Sequence, residues 1–376
     1  MTEKETYLVI TPFFPSENSF VGSYIYDQVN ELRNQIDFDF EVIKVVTLFS
    51  NEKDYKFKGF NVSIFKLIDI PFFIFPGIFN WINKKRFNFF LKNKNIKNIK
   101  LSHSHVSYPA AYLVEEFSCK KIVQHHGLDV LQLLNGRNNF IKRLQRSFLI
   151  KNTLKHLNKV DVNIGVAQLV LDKLDEFKEY NPKKEYVLYN GVDFSKFYPV
   201  KTENNEVFTI GCVANFWKIK NQITLIKAVK LLKDSGIAVQ LRLIGSGPTL
   251  LKCKKFVREN NLSENILFEK ELKHENLNVT FNEIDLFVMP SYYEALGCVY
   301  LESWATNTPF IAIKGQGIAE LIPDNKIDFH LAKPKDPESL KNCIIKLMQS
   351  DDQFIFNNNL KIENTIRKFI KDIVLC

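Results

Sequence analysis

Residues 284–317 read IDLFVMPSYYEALGCVYLESWATNTPFIAIKGQG. An apolar run of strand character gives way at Pro290 to an aromatic loop, then to LGCVYLESWATN with apolar residues at helical spacing, then to the strand-like FIAI closed by glycines. Strand, loop, helix and strand in that order form the parallel crossover unit, with the helix lying on one face of the shared sheet. Two glutamates, Glu294 and Glu302, bracket seven residues that are nearly all apolar or small. An acid in such a run is costly to bury unless something hydrogen-bonds to it, so the pair marks the first place to look for a ligand.

The same alternation runs outward in both directions. Before it lie YLVIT, FEVIKVV, KIVQH, VDVNIGVA, EYVLY, FTIGCVAN, AVQLRLI and ILFEK as strands, with helices such as GSYIYDQVNELRNQ, NQITLIKAVKLLKDS and PTLLKCKKFVRENN between them; PESLKNCIIKLMQS is a helix after it. Alternating strands and helices predict an α/β fold of two doubly wound, Rossmann-like domains, with ligands at the carboxyl ends of the strands in a cleft between them. The polar stretch KTENNEV at 201–207 serves as the expected linker, giving domains at 1–200 and 201–355. Residues 356–376 end in an amphipathic helix expected to return to the first domain.

With 376 residues, 45% hydrophobic and 25% charged, the chain has enough apolar material for two cores. Its six cysteines, 119, 212, 253, 298, 343 and 376, stand singly, against a disulfide framework or a structural zinc site and in keeping with a reducing compartment. The N-terminus has no signal-peptide pattern and no window holds 18 uninterrupted apolar residues, so a cytoplasmic location is expected. The net charge of +9 brings no nucleic-acid module with it, and nucleic acid is not expected as a partner. Part of that charge is local. From Trp81 to Lys100 there are seven basic residues and no acidic one, directly after the apolar LIDIPFFIFPGIF, so residues 68–100 are a candidate for peripheral contact with the inner face of a membrane; a buried strand followed by a solvated helix reads the same letters otherwise.

Four strand-end loops in the second half carry the chemistry. KIKN places Lys218 and Lys220 just before a helix, where dipole and ammonium together favour a phosphate. GSGP at 245–248 is a strand-to-helix turn whose Gly245 lets the backbone approach a ligand, with Pro248 in the first helical turn. In SYYEALGCVYLES, Glu294 falls in the loop and Glu302 roughly 7 Å along a helix that begins near Gly297. KGQG at 314–317 closes the set, and in the first half QHHGLDV sets His126 at a strand end. Carboxylates are good acceptors for sugar hydroxyls, and sugar, diphosphate and ribose in line would use an acid, a helix start and a second acid in that order. A lone Asp37-Phe38-Asp39 lies in or beside a strand, and no metal site is read there.

In this order and spacing the motifs resemble the family 4 retaining glycosyltransferases of GT-B fold, of the kind that builds bacterial surface polysaccharides. PSYYEALGCVYLESWATNTPFIAIKGQGIAELI is similar to that family's main signature, VANFWKIKNQITLIKAV to its phosphate loop, YNGVDFSKFYP to its hinge-side segment, IGSGP to its glycine turn, HHGLDV to its donor-sugar histidine motif and PFFPSENSFVGSYIYDQVNEL to its N-terminal loop. The resemblance implies a catalytic set of Glu294 on the donor sugar, Lys220 on the diphosphate and His126 beside the sugar. It implies donor contacts from Glu302 to the ribose, from the backbone of Leu296, Gly297, Cys298 and Val299 to the phosphates, and from Gly22, Asn215, Lys218 and Gly245. Asn215 stands where the family usually has an arginine, and Lys218 is the nearest cation to replace it. A UDP- or GDP-linked sugar donor, a glycan or lipid-linked acceptor, retention of configuration and independence of metal or other cofactor follow from the same resemblance. A sugar-nucleotide epimerase of this fold and a non-catalytic sugar-nucleotide-binding protein are the alternatives.

Overall fold

The computed structural model describes residues 4–69, 75, 77–127, 129–130, 140–201, 205–350 and 354–376. The chain forms two compact units, Met1–Asn190 with Thr365–Cys376, and Gly191–Asn364.

The first unit is built on eight strands: β1 (Thr6–Thr11), β2 (Asp39–Thr47), β3 (Tyr55–Phe57), β4 (Phe60–Leu67), β5 (Ile99–His105), β6 (Lys120–His125), β7 (Val162–Gly165) and β8 (Glu185–Val187). Their order is β3-β4-β2-β1-β5-β6-β7-β8, parallel throughout except for β3 against β4. The helices are α1 (Ser23–Gln35), α2 (Asn80–Asn93), α3 (Phe140–Leu157) and α4 (Gln168–Asp175). Central β1, TYLVIT, is buried at every position, as a parallel strand covered on both faces must be.

Leu8, Ile10, Ile43, Val45, Phe65, Phe87 and Leu91 share one core cluster. Two of these, Phe87 and Leu91, come from α2, so the basic segment is anchored by its aromatic face. Lys84 lies between Glu115 and Glu116, and Arg86 donates to the Lys66 carbonyl at 2.8 Å, while Trp81 and Phe89 remain exposed. Residues 70–74 and 76, part of the apolar stretch of the expected membrane contact, lie outside the described residues.

The second unit carries β9 (Thr209–Val213), β10 (Gln240–Ile244), β11 (Ile266–Glu269), β12 (Leu286–Val288), β13 (Phe310–Ile313) and β14 (Leu331–Ala332), ordered β11-β10-β9-β12-β13-β14 and parallel throughout. Helices α5 (Gln222–Asp234), α6 (Leu250–Glu259), α7 (Leu277–Asn282), α8 (Cys298–Ala305) and α9 (Pro337–Met348) cover it. Ile210, Leu225, Val229, Leu241, Val288, Ile311 and Ile344 are fully or almost fully buried between sheet and helices.

Two boundaries differ from expectation. The second unit begins at Gly191, ten residues before the polar stretch, because Val192 already pairs with the segment at 360–362: its N–H donates to the Leu360 carbonyl and its carbonyl accepts from Ile362, both at 2.9 Å. The polar stretch therefore falls inside that unit; its residues 202–204 lie outside the described set, and Asn205 donates to Asp285 at 3.0 Å. The α6 helix starts at Leu250, two residues after Pro248, because the N–H and hydroxyl of Thr249 both donate to the Phe216 carbonyl, at 2.9 and 2.7 Å.

At the other end, helix α10 (Ile362–Phe369) leads into a tail that belongs to the first unit from Thr365 onward. There Lys120 donates to the carbonyls of Ile373 and Cys376 at 2.5 and 2.8 Å, and the Tyr186 hydroxyl donates to Asp372 at 3.2 Å.

Candidate functional site: paired loops at the strand ends of the second unit

The loop after β9 and the loop between β12 and α8 are joined. The Tyr292 N–H donates to the Ile219 carbonyl at 2.8 Å and the Asn221 amide to the Pro290 carbonyl at 3.2 Å. Across this seam Lys220 Nζ lies 2.6 Å from Glu294 Oε1, an ion pair with both side chains mostly shielded from water. The two residues expected on the phosphate and on the sugar thus hold each other. Glu294 is fixed from a third side, since its carbonyl accepts from the Gly317 N–H at 3.1 Å. Gln316 locks the same corner, donating to the Ser291 carbonyl at 2.9 Å and accepting from the Tyr300 hydroxyl at 2.8 Å. Strand-end glycine loop, phosphate loop and signature loop are therefore one construction.

Gly297 sits in the left-handed region and caps α8, so Leu296, Gly297, Cys298 and Val299 turn into the positive end of the helix as expected. Leu296 is buried, and Cys298 and Val299 are half-buried. Glu302, one turn on, is buried on α8. His274 Nε2 lies 2.9 Å from its Oε1, and its Oε2 has no partner among the described residues. That oxygen is a buried acceptor awaiting a donor, which suits a ribose hydroxyl.

His274 is the residue the motifs missed. It lies in KELKHENLN, the loop after β11, and the signal that would have found it is position: β11 is one more parallel strand whose carboxyl end borders the site.

Gly245 ends β10 at φ +143, and a Cβ there would stand 2.3 Å from the Ala214 carbonyl oxygen, so only glycine lets the two loops cross. Asn215 and Lys218 are exposed on the loop below it.

The remaining two residues belong to the first unit. Gly22 opens α1 at φ +88 against the Phe13 carbonyl, 2.6 Å from where a Cβ would be. His126 follows β6 and lies 3.0 Å from His105, its ring against Tyr24 and parallel to His105, which in turn stacks on His103. Burial lowers both His126, to about 4, and His103, to about 3. These rings are neutral at ordinary pH, so His126 offers hydrogen bonds and no charge. Its neighbour His125 pairs with Asp129 at 2.8 Å, a contact the sequence did not announce.

Residues 193–368 match the family model "Glycosyl transferases group 1". That stretch is a group 1 glycosyltransferase domain. This transferase is 27% identical over 340 residues to an uncharacterized glycosyltransferase of Methanocaldococcus jannaschii, spanning 89% of this chain and 86% of that one. It is 24% identical over 222 residues to the O-antigen chain mannosyltransferase of Salmonella typhimurium, 59% of this chain and 60% of that one. Among solved structures, Anabaena HepE in complex with UDP and glucose superposes with a TM-score of 0.72 at 13% identity, covering 99% of this chain and 100% of that one, which shows the GT-B fold.

Proposed function

We propose that this glycosyltransferase moves a sugar, with retention of configuration, from a UDP- or GDP-linked donor to a glycan or lipid-linked acceptor in surface polysaccharide synthesis. The observation that carries the reading is the seam in the second unit: Lys220 paired to Glu294 at the mouth of α8, with a vacant oxygen of Glu302 one turn further on. An ammonium keeps two N–H donors when one is used by a carboxylate. Lys220 therefore has donors left for the diphosphate while Glu294 stays aimed at the sugar hydroxyls, and the amides at 296–299 take the phosphate oxygens. Lys218 supplements them where Asn215 brings no charge.

As the bond to the anomeric carbon breaks, negative charge grows on the leaving diphosphate, and this preset cationic environment stabilises it. The leaving phosphate removes the proton of the acceptor hydroxyl attacking from the same face, so no side chain has to act as base and configuration is kept. No metal or other cofactor enters this scheme, because Lys220 and the helix start take the place a divalent cation would fill. The names of the O-antigen relative and of the nucleotide-bound neighbour support the substrate classes.

The test is a thermal-shift panel of UDP, GDP, ADP and their sugars. A rise with one nucleotide series that is lost in Glu302→Ala and Lys220→Ala supports the reading; no rise with any sinks it. Peripheral membrane contact through α2 belongs to the same proposal, at the cytoplasmic face. Because Lys84 and Arg86 are engaged within the fold, Trp81→Ala with Phe89→Ala is the variant to test, and unchanged sedimentation with anionic vesicles would count against it.

A further inference from the structure

Strand β5 ends in LSHSH, where a buried parallel strand ordinarily carries branched aliphatic residues. His103 and His105, two apart and so on one face, are fully buried there. The register pairs His105 with Gln124 of β6, so His126, two residues past Gln124, comes to the same face beside it. Three imidazoles grouped at a sheet end are costly to bury, and the chemistry assigned so far uses His126 alone.

His105 Nδ1 lies 3.0 Å from His126 Nε2, with the rings 14° from parallel and their centroids 5.3 Å apart. At that contact distance the centroids could scarcely stand farther apart, so the bond runs in line with both ring centres and in the plane of both rings. This is the arrangement in which an N–H of one imidazole meets the lone pair of the other. His105 is held from behind: its ring stacks on His103 at 4.3 Å, and the Tyr7 hydroxyl lies 2.7 Å from His103 Nδ1. Tyr24 of α1 packs on His126 with ring centroids 4.8 Å apart. Burial keeps His105, like His126, well below the ordinary histidine range, so the bond joins two neutral rings.

A neutral imidazole can take either tautomer and either of two orientations about its Cβ–Cγ bond, and each combination presents a different edge. If His126 donates from Nε2, His105 accepts at Nδ1 and both rings carry their proton on Nε2, the tautomer that a free histidine side chain prefers. The reverse direction puts both rings in the less favoured Nδ1 form and satisfies no further atom. His105 Nε2 and His126 Nδ1 are without a partner among the described residues in either case. We infer that His105 is a positioning residue: it accepts a hydrogen bond from His126 Nε2 and fixes that ring in one orientation and one tautomer, with Nδ1 left as its lone-pair nitrogen. The inference rests on the proposed transferase reading, for which the resemblance sets His126 beside the donor sugar; His105 acts only through His126.

The experiment reads ring-nitrogen NMR signals of the full chain, isotope-labelled in histidine, near neutral pH. His126, assigned by the signals lost in His126→Phe, should show a single tautomer with its proton on Nε2. In His105→Phe, which keeps a ring and removes the bond, His126 should become a mixture of tautomers. In His105→Asn, whose amide oxygen can stand where Nδ1 stood, the single tautomer should return. Calorimetry then compares the nucleotide selected by the thermal-shift panel with its nucleotide sugar. The ratio of nucleotide-sugar to nucleotide affinity should fall about fivefold or more in His126→Phe and His105→Phe, and recover to within about twofold in His105→Asn. Affinity for the nucleotide itself should stay unchanged in all three, which certifies their fold. A proton on His126 Nδ1 in the unaltered protein, a single tautomer surviving in His105→Phe, or an unchanged ratio in His105→Phe overturns the inference. An unchanged ratio in His126→Phe overturns it together with the place of His126 at the donor sugar. Absence of nucleotide-sugar binding by the unaltered protein would count against the donor reading, and the tautomers would still decide the inference.

Discussion

The two units share an architecture and handle polar groups in opposite ways. In the second, the charged residues of interest are coupled: Lys220 to Glu294, His274 to Glu302, Arg242 to Glu269 and Glu283. In the first, they are sunk beneath the sheet ends. His103 and His105 are fully buried, Asp69 and Asp129 nearly so, and all four keep a side-chain atom without a partner among the described residues. Five of the seven histidines, at 103, 105, 125, 126 and 156, lie in the first unit. Coupled charges near a surface can exchange partners with an arriving ion at little cost, whereas buried vacant acceptors are selective because the wrong ligand leaves them unmet. In the proposed function the charged diphosphate falls to the unit whose charges are coupled.

The strongest way to break that comparison is a mutant cycle on the seam. Lys220→Met and Glu294→Ala should each lower turnover about 100-fold, near 2.7 kcal/mol of barrier. The double variant should fall far less than the product of the two, because either change undoes the same ion pair. Additive losses would show that the two residues act separately and that their contact is incidental.

Acid should then separate the units. Burial holds His103 down at about 3 and His126 and His156 at about 4, so each is neutral when folded. The unfolded chain, with ordinary histidines, binds their protons first. Stability therefore falls as pH drops from about 6.5 toward 4, by roughly 2 kcal/mol or more for one such group. Hydrogen exchange should show first-unit amides losing protection first. Uniform loss across both units, or a denaturation midpoint that stays flat between pH 6.5 and 4.5, would remove the contrast.

A smaller effect sharpens the second unit. His274→Ala should raise the donor KM three- to tenfold, about 1 kcal/mol, with kcat within twofold, since it only aims Glu302. Glu302→Gln should do more; the reverse ranking would make His274 the direct contact.

Much of this was legible beforehand. The signature run gave strand, loop and helix within about three residues of where they lie, because glycine at a helix cap and apolar periodicity are local physics. The fold class followed from the same alternation. Lys220 and Glu294 could be named from their loops, yet their contact could not, since 74 positions separate them. Asp69 and Asp129 look like ordinary loop acids in LIDI and HHGLDV; only burial distinguishes them. His274 and strands β3 and β4 passed unread because YKFKGFNVSIFKL and KELKHENLN carry mixed patterns. Gly191, not the polar loop, divides the units because a backbone pairing across 170 positions of chain outweighs a change in composition.

The sequence by itself determined two α/β units, the strand-end loops of the candidate site and the residues in them, since all of these follow from short-range periodicity and turn chemistry. The tertiary structure alone decided who pairs with whom and which acids are buried with an oxygen unmet. Those are properties of strand order and packing, where residues far apart in the chain are brought within a hydrogen bond of one another.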